Sequence, residues 1–216
     1  MGSVAARQLP ASSQKIIIDT DFDKAQRLAV DVEGIASGNL ETAAAADLAA
    51  VVLPTPAVNE TVGNLLNVLK KGATVLNMAT TAQIDPSLLE VRKDIFIVNA
   101  KIIGHAMSIS KGEPGIVVVE CSDESCFHLI KSQLSGFHQV VKGDANLVET
   151  INKTASTEGL KSAVAVRKKL SALNIPDEWI DVAIRTVCAG TMKSFTDNDL
   201  GHFALELVKK LENEQD

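Results

Sequence analysis

The sequence opens Met1-Gly2-Ser3-Val4-Ala5-Ala6-Arg7-Gln8-Leu9, and the β-branched run Ile16-Ile17-Ile18 ends in Asp19, 17 positions after Gly2. A glycine that opens a helix lets a pyrophosphate approach the backbone N–H groups. An acid at the end of the following strand accepts the ribose hydroxyls of a dinucleotide. Gly2 and Asp19 have those residue types at that spacing. In the full G-x-G-x-x-G pattern a strand and two glycines come first, about 10 residues in the usual unit. Those residues are not in this sequence, and the expectation is that Met1 is not the natural start of the working protein. Asp19 repels a 2′-phosphate, and Thr20 stands where phosphate-binding versions often carry Arg, so NAD is the expected cofactor. Lys24 and Arg27 leave NADP as the alternative.

The elements that must position these residues alternate along the chain. Ile16–Ile18, 49–53, 74–78, 95–98, 116–119 and 138–141 read as short apolar strands. Between them, Asp23 to Ala29 with an Asp21 cap, Val58 to Lys70 before Gly72, and Pro86 to Glu90 read as helices. Continuous apolar strands alternating with helices imply a parallel sheet covered on both faces. Beyond Gly143 no strand pattern recurs, and helices are predicted at 145–171, 177–190 (ended by Gly190) and 198–213. The expected domains are therefore residues 1–143 and 144–216.

Composition excludes several classes. At 46% hydrophobic and 22% charged over 216 residues, the chain has the make-up of a globular protein. A net charge of −6, with no dense basic stripe, argues against nucleic acid as a partner. No stretch reaches the roughly 18 apolar residues of a membrane helix, and the N-terminus lacks a signal-peptide pattern, so a cytoplasmic location and no membrane partner are expected. Cys121, Cys126 and Cys188 have irregular spacing with no metal-ligand histidine nearby, which gives neither a disulfide framework nor a metal site.

Four blocks, in order, resemble the β-hydroxyacid dehydrogenases of the 6-phosphogluconate dehydrogenase-like superfamily. Ala46-Asp47-Leu48-Ala49-Ala50-Val51-Val52-Leu53-Pro54 is similar to the family's strand ending in Leu-Pro over the cofactor. Asn77-Met78-Ala79-Thr80-Thr81 resembles its Asp-x-Ser-Thr turn beside the nicotinamide. Asn99-Ala100-Lys101-Ile102-Ile103-Gly104-His105 resembles Asp-Ala-Pro-Val-Ser-Gly-Gly, which meets the substrate. Asp199-Leu200-Gly201 with Ala204 resembles Lys-Asp-Leu-x-x-Ala. The resemblance implies a Rossmann-type sheet, here without its first strand, followed by a small all-helical C-terminal domain. It also implies cofactor contacts at Gly2, Asp19, Leu53, Pro54 and Thr80.

The departures bear on catalysis. The family's proton-transfer lysine, in Lys-x-x-Asn-Asn, is replaced within Glu149-Thr150-Ile151-Asn152-Lys153, where asparagine persists and lysine does not. Glu149, Asn152 and Lys153 share one helix face, so Lys153 offers a proton carrier about one turn further on. The plain alternative is a Glu149/Lys153 surface pair. Ile103 stands in place of serine, Lys101 of proline, His105 of glycine and Asn198 of lysine. Gly104-His105-Ala106-Met107 also resembles the His-Pro-Met turn of prephenate dehydrogenases, and a neutral imidazole there could accept an alcohol proton.

These readings give NAD(P)-linked oxidoreduction of a small hydroxy acid as the expected function. His105 or Lys153 would handle the proton and Asn152 would orient the substrate. Two alternatives stand beside it: a catalytically silent relative that binds a nucleotide or a partner, and an imine reductase resembling pyrroline-5-carboxylate reductase. The helical domain is the surface expected to carry any homodimer.

Overall fold

The structure is a computed structural model and describes residues 1–214. The chain divides into two compact units, Met1–Asn152 and Lys153–Asp216.

The first unit begins with α1 (Gly2–Arg7), β1 (Ile16–Ile18), α2 (Phe22–Asp31) and β2 (Ile35–Ser37). It continues through β3 (Leu48–Val51), α3 (Thr55–Val68), β4 (Thr74–Asn77) and α4 (Pro86–Leu89). Then come β5 (Phe96–Ile103), α5 (Ala106–Ser110), β6 (Ile116–Glu120), α6 (Glu124–Gln133) and β7 (Gln139–Lys142). Local chemistry sets the helix starts. The Asp21, Asp85 and Asp123 carboxylates accept hydrogen bonds from the N–H groups of Lys24, Ser87 and Cys126, at 3.2, 2.9 and 2.7 Å, satisfying first-turn donors that have no partner within the helix. α3 starts at Thr55-Pro56, where a missing proline N–H costs nothing.

β3-β4-β5-β6-β7 form a five-stranded sheet, while β1 and β2 form a separate parallel pair. All the pairings are parallel except β5 with β6. Residues 104–115 hold only the five-residue α5, and β6 returns antiparallel to β5. Period-two alternation sends neighbouring side chains to opposite faces. Leu76, Val98, Ala100 and Ile102 pack with Phe127 and Ile130 of α6 and with Leu134, which caps it. Val51 and Val75 pack with Val58, Val62, Leu65 and Leu66 of α3. α1 joins the first of these cores through Val4 and Ala5.

α7 (Leu147–Ser171) starts in the first unit and continues into the second, which also holds α8 (Asp177–Val182), α9 (Ala189–Thr196) and α10 (His202–Asn213). One π turn, Ala183–Cys188, joins α8 to α9. The sequence places a helix end at Gly190, but the helix runs through it. The stop falls at Asn198, which adopts φ +55° while Asp199 N–H bonds back to the Ser194 carbonyl at 2.9 Å. Among the described residues of this unit only Ile180 is a buried apolar side chain, whereas Leu160, Val164, Trp179, Phe195 and Phe203 are exposed. Among the described residues no helix is long and apolar enough to cross a membrane.

Candidate functional site

In open α/β sheets ligands bind beyond the carboxyl ends of the strands. Here those ends are Asp19 after β1, Val52 to Pro54 after β3, and Met78 to Thr81 after β4. β5 pairs with β4 only over 96–99, so residues 100–103 extend past the end of β4 with a strand neighbour on the β6 side alone.

The expected cofactor residues lie along this edge. Gly2 opens α1 beside the end of β3, and a Cβ there would stand 3.7 Å from the Val52 Cβ. Asp19 is half-buried, and its Oδ1 accepts the Asp21 N–H at 2.9 Å. Leu53 packs on the α3-side core, and Pro54 is exposed at the N-cap of α3. Thr80 is half-buried in the turn after β4. A hydrogen bond of 2.6 Å between the Thr55 and Thr81 hydroxyls ties that turn to the one after β3.

These residue types are compatible with a bound dinucleotide, in which a carboxylate can accept hydroxyls and a pair of adjoining turns can border a ring. An acid follows β1, and two turns are tied side by side at the next strand ends. Lys24 forms an ion pair with Asp21 at 3.0 Å.

A polar relay crosses the end of β4. The fully buried Asn77 donates from Nδ2 to the Ala82 carbonyl (3.0 Å) and to Asn99 Oδ1 (2.9 Å), and its Oδ1 accepts from the Ala79 N–H. Asn99 in turn donates to Glu120 Oε2 at 3.1 Å. The relay fixes the turn that carries Thr80. Sequence reading matched Asn77 and Asn99 to acids of the family pattern without finding that they meet.

The tip of β5 is held by α7. Asn152 Nδ2 donates to the Ile102 carbonyl at 2.9 Å, and its Oδ1 accepts the Gly104 N–H at 3.3 Å. Gly104 has φ +146°, and a Cβ there would stand 2.9 Å from Ile109 Cδ1, so this corner requires glycine. His105 follows, exposed, at the N-cap of α5 and makes no side-chain capping bond. The structure thus brings Asn152 to the strand tip that carries His105. Lys153 is exposed and falls in the second unit.

Lys101, one residue before Ile102, was legible in sequence only as a replacement for proline. In the structure it is fully buried, and its Nζ has no hydrogen-bond partner. Burial pushes its pKa below the ordinary lysine value, while the charges of Glu149, Glu120 and Asp144 pull it back up. The available signal was period two: Asn99 and Lys101 are the polar residues on one face of an otherwise apolar strand.

No protein-family model and no curated protein matches the sequence. Solved structures do match in fold. A Mycobacterium avium 104 protein described only as an oxidoreductase has a TM-score of 0.69 and 20% identity, over 88% of this chain and 72% of its own. A pyrroline-5-carboxylate reductase from Coxiella burnetii has 0.68 and 12%, over 91% and 74%. A 3-hydroxyisobutyrate dehydrogenase from Salmonella typhimurium has 0.65 and 17%, over 91% and 75%. The chain shares the fold of these solved structures, a mostly parallel α/β sheet followed by a helical C-terminal region.

Proposed function

We propose that this chain belongs to an NAD-linked oxidoreductase acting on a small hydroxy acid. The observation that carries the reading is the set of carboxyl strand ends, where Asp19 follows β1, Leu53 and Pro54 follow β3, Thr80 follows β4, and Asn152 holds the overhanging tip of β5. Asp19 would accept the ribose hydroxyls, and Gly2 would flank the pyrophosphate. Leu53, Pro54 and Thr80 would border the nicotinamide. When bound, the dinucleotide supplies the hydride-accepting or hydride-donating ring. Asn152 spends both of its side-chain groups on backbone, so its role is to position the strand tip. His105 and Lys153 remain the surface groups proposed for proton handling.

The test is binding followed by turnover. NADH should bind more tightly than NADPH, and Asp19→Ala should reduce that preference by about ten- to a hundredfold, the scale of losing a charge-assisted bidentate acceptor. Equal affinities in the unaltered protein would refute the NAD assignment. Turnover should appear with a panel of 2- and 3-hydroxy acids. Reduction of cyclic imines instead would favour the imine-reductase reading. Glu149 in place of the family lysine favours one further reading, a silent nucleotide-binding relative, which cofactor binding without any turnover would support. The exposed apolar side chains of the second unit suit a second copy of this chain, so the solution mass should be twice 22.9 kDa.

A further inference from the structure

We propose that Lys101 is the proton-transfer residue of this site, its amine exchanging a proton with the reacting oxygen of the small-molecule ligand. The inference rests on the oxidoreductase reading for its ligand and on geometry for its residue. Buried polar groups in folded proteins are nearly always hydrogen-bonded, and those that are not call for an explanation in function. Among the described residues two buried side-chain polar atoms have no partner, Thr74 Oγ1 and Lys101 Nζ. Thr74 opens β4, at the end of the sheet away from the ligand edge. Lys101 lies on the overhang of β5 past the end of β4, where ligands of this architecture bind.

A lysine placed there for folding alone would be expected to have an acceptor. The charged groups around Lys101 come from three places: Glu149 on α7, Glu120 at the end of β6, and Asp144 after β7. None of them hydrogen-bonds the amine. They stabilise its ammonium form from a distance while burial favours the neutral form more strongly, and this balance draws the amine below the ordinary lysine range. The step is simple in its balance. The ligand hydroxyl gives its proton to the neutral amine, leaving an alkoxide and an ammonium. In reverse, the ammonium returns that proton to the oxygen.

Lys101→Met and Lys101→Arg test the proposal with two readouts besides activity. A methionine of similar length removes an unsatisfied amine, so Lys101→Met should melt at or above the temperature of the unaltered protein and bind NADH within about threefold of it. Turnover of the hydroxy-acid panel should fall by about a hundredfold or more, and the limb of the pH profile that rises through the lysine pKa should vanish. Arginine, which stays protonated, should not restore it. Wild-type turnover in Lys101→Met overturns the proposal. So does a lower melting temperature with NADH binding weakened in step, which marks a structural lysine. If the unaltered protein turns over nothing, the oxidoreductase reading fails by itself, and Lys101 is judged by 15N spectroscopy of its Nζ. A titration below the ordinary lysine range that moves on adding 3-hydroxyisobutyrate supports the site, and a signal unmoved by that acid overturns it.

Discussion

Replacing Asn152 should loosen the first unit in a way that isolates its clasp on β5. In Asn152→Ala the Ile102 carbonyl loses a donor at 2.9 Å and the Gly104 N–H loses an acceptor at 3.3 Å. A typical hydrogen bond contributes about 1 kcal/mol net, so removing two costs about 2 kcal/mol. Alanine returns a few tenths through its helix propensity, and water reaches a half-buried site, which brings the expectation to about 1–2 kcal/mol. For a unit of this size that corresponds to a fall in melting temperature of about 2–8 °C. Asn152→Asp should be worse. Its carboxylate still accepts from Gly104 but turns a second acceptor toward the Ile102 carbonyl. Far-UV circular dichroism and amide exchange at Gly104 follow the loss. Trp179, the sole tryptophan in a chain without tyrosine, gives a fluorescence control in the second unit. A melting temperature unchanged in Asn152→Ala, with amide exchange at Gly104 no faster, would refute the clasp.

The Asp94 carboxyl is held at about 2 by the Arg92 guanidinium, which donates to it at 2.8 and 2.7 Å and to the Leu66 carbonyl at 2.9 Å. A carboxyl depressed in the folded state stabilises fully above its unfolded value of about 4 and loses that contribution as pH falls toward 2. Urea midpoints should therefore drop across this window more steeply in the unaltered protein than in Asp94→Asn, and parallel curves would count against the pair. Burial first, then the Cys121 thiol beside it, pushes the Cys126 thiol up to about 12. A disulfide reagent at pH 8 should label Cys121 and Cys188 first and Cys126 only on denaturation, whereas rapid labelling of all three would contradict that burial.

The alternation of strands and helices was legible because runs such as Ile16–Ile18 and Thr74–Asn77 are β-rich and bounded by cappers or glycine. β2 was not, since Ile35-Ala36-Ser37 carries one β-branched residue and owes its pairing to β1. The strand at 95–98 runs on to Ile103 because pairing with β6 outweighs the polar Asn99 and Lys101 that break its apolar pattern. Gly190 misled because glycine ends a helix only where the chain turns left-handed, and here Asn198 makes that turn. A single segment supplies the residue types proposed for the cofactor end, as at Asp19 after β1, and such a pattern is local in sequence. Lys101 near Glu149, and Asn152 against Ile102, join residues about fifty positions apart, which no local pattern reports.

Asp19 extends from a ribbon of two three-residue strands that share no backbone ladder with the larger sheet. A pair so short is marginal alone and takes its order from α2 and from the packing of Ile18. If Asp19 holds the ribose as proposed, the closed fraction of the ribbon would multiply the dinucleotide affinity, since apparent affinity scales with the competent fraction. Glu33, between α2 and β2, holds φ +54°, a strain of about 1 kcal/mol that glycine would not carry. Glu33→Gly should slow amide exchange along Ile16–Ile18 and tighten NADH binding from a position outside the proposed contact set. Affinity in this fold would then be adjustable from its hinge corner, with the ligand contacts left untouched.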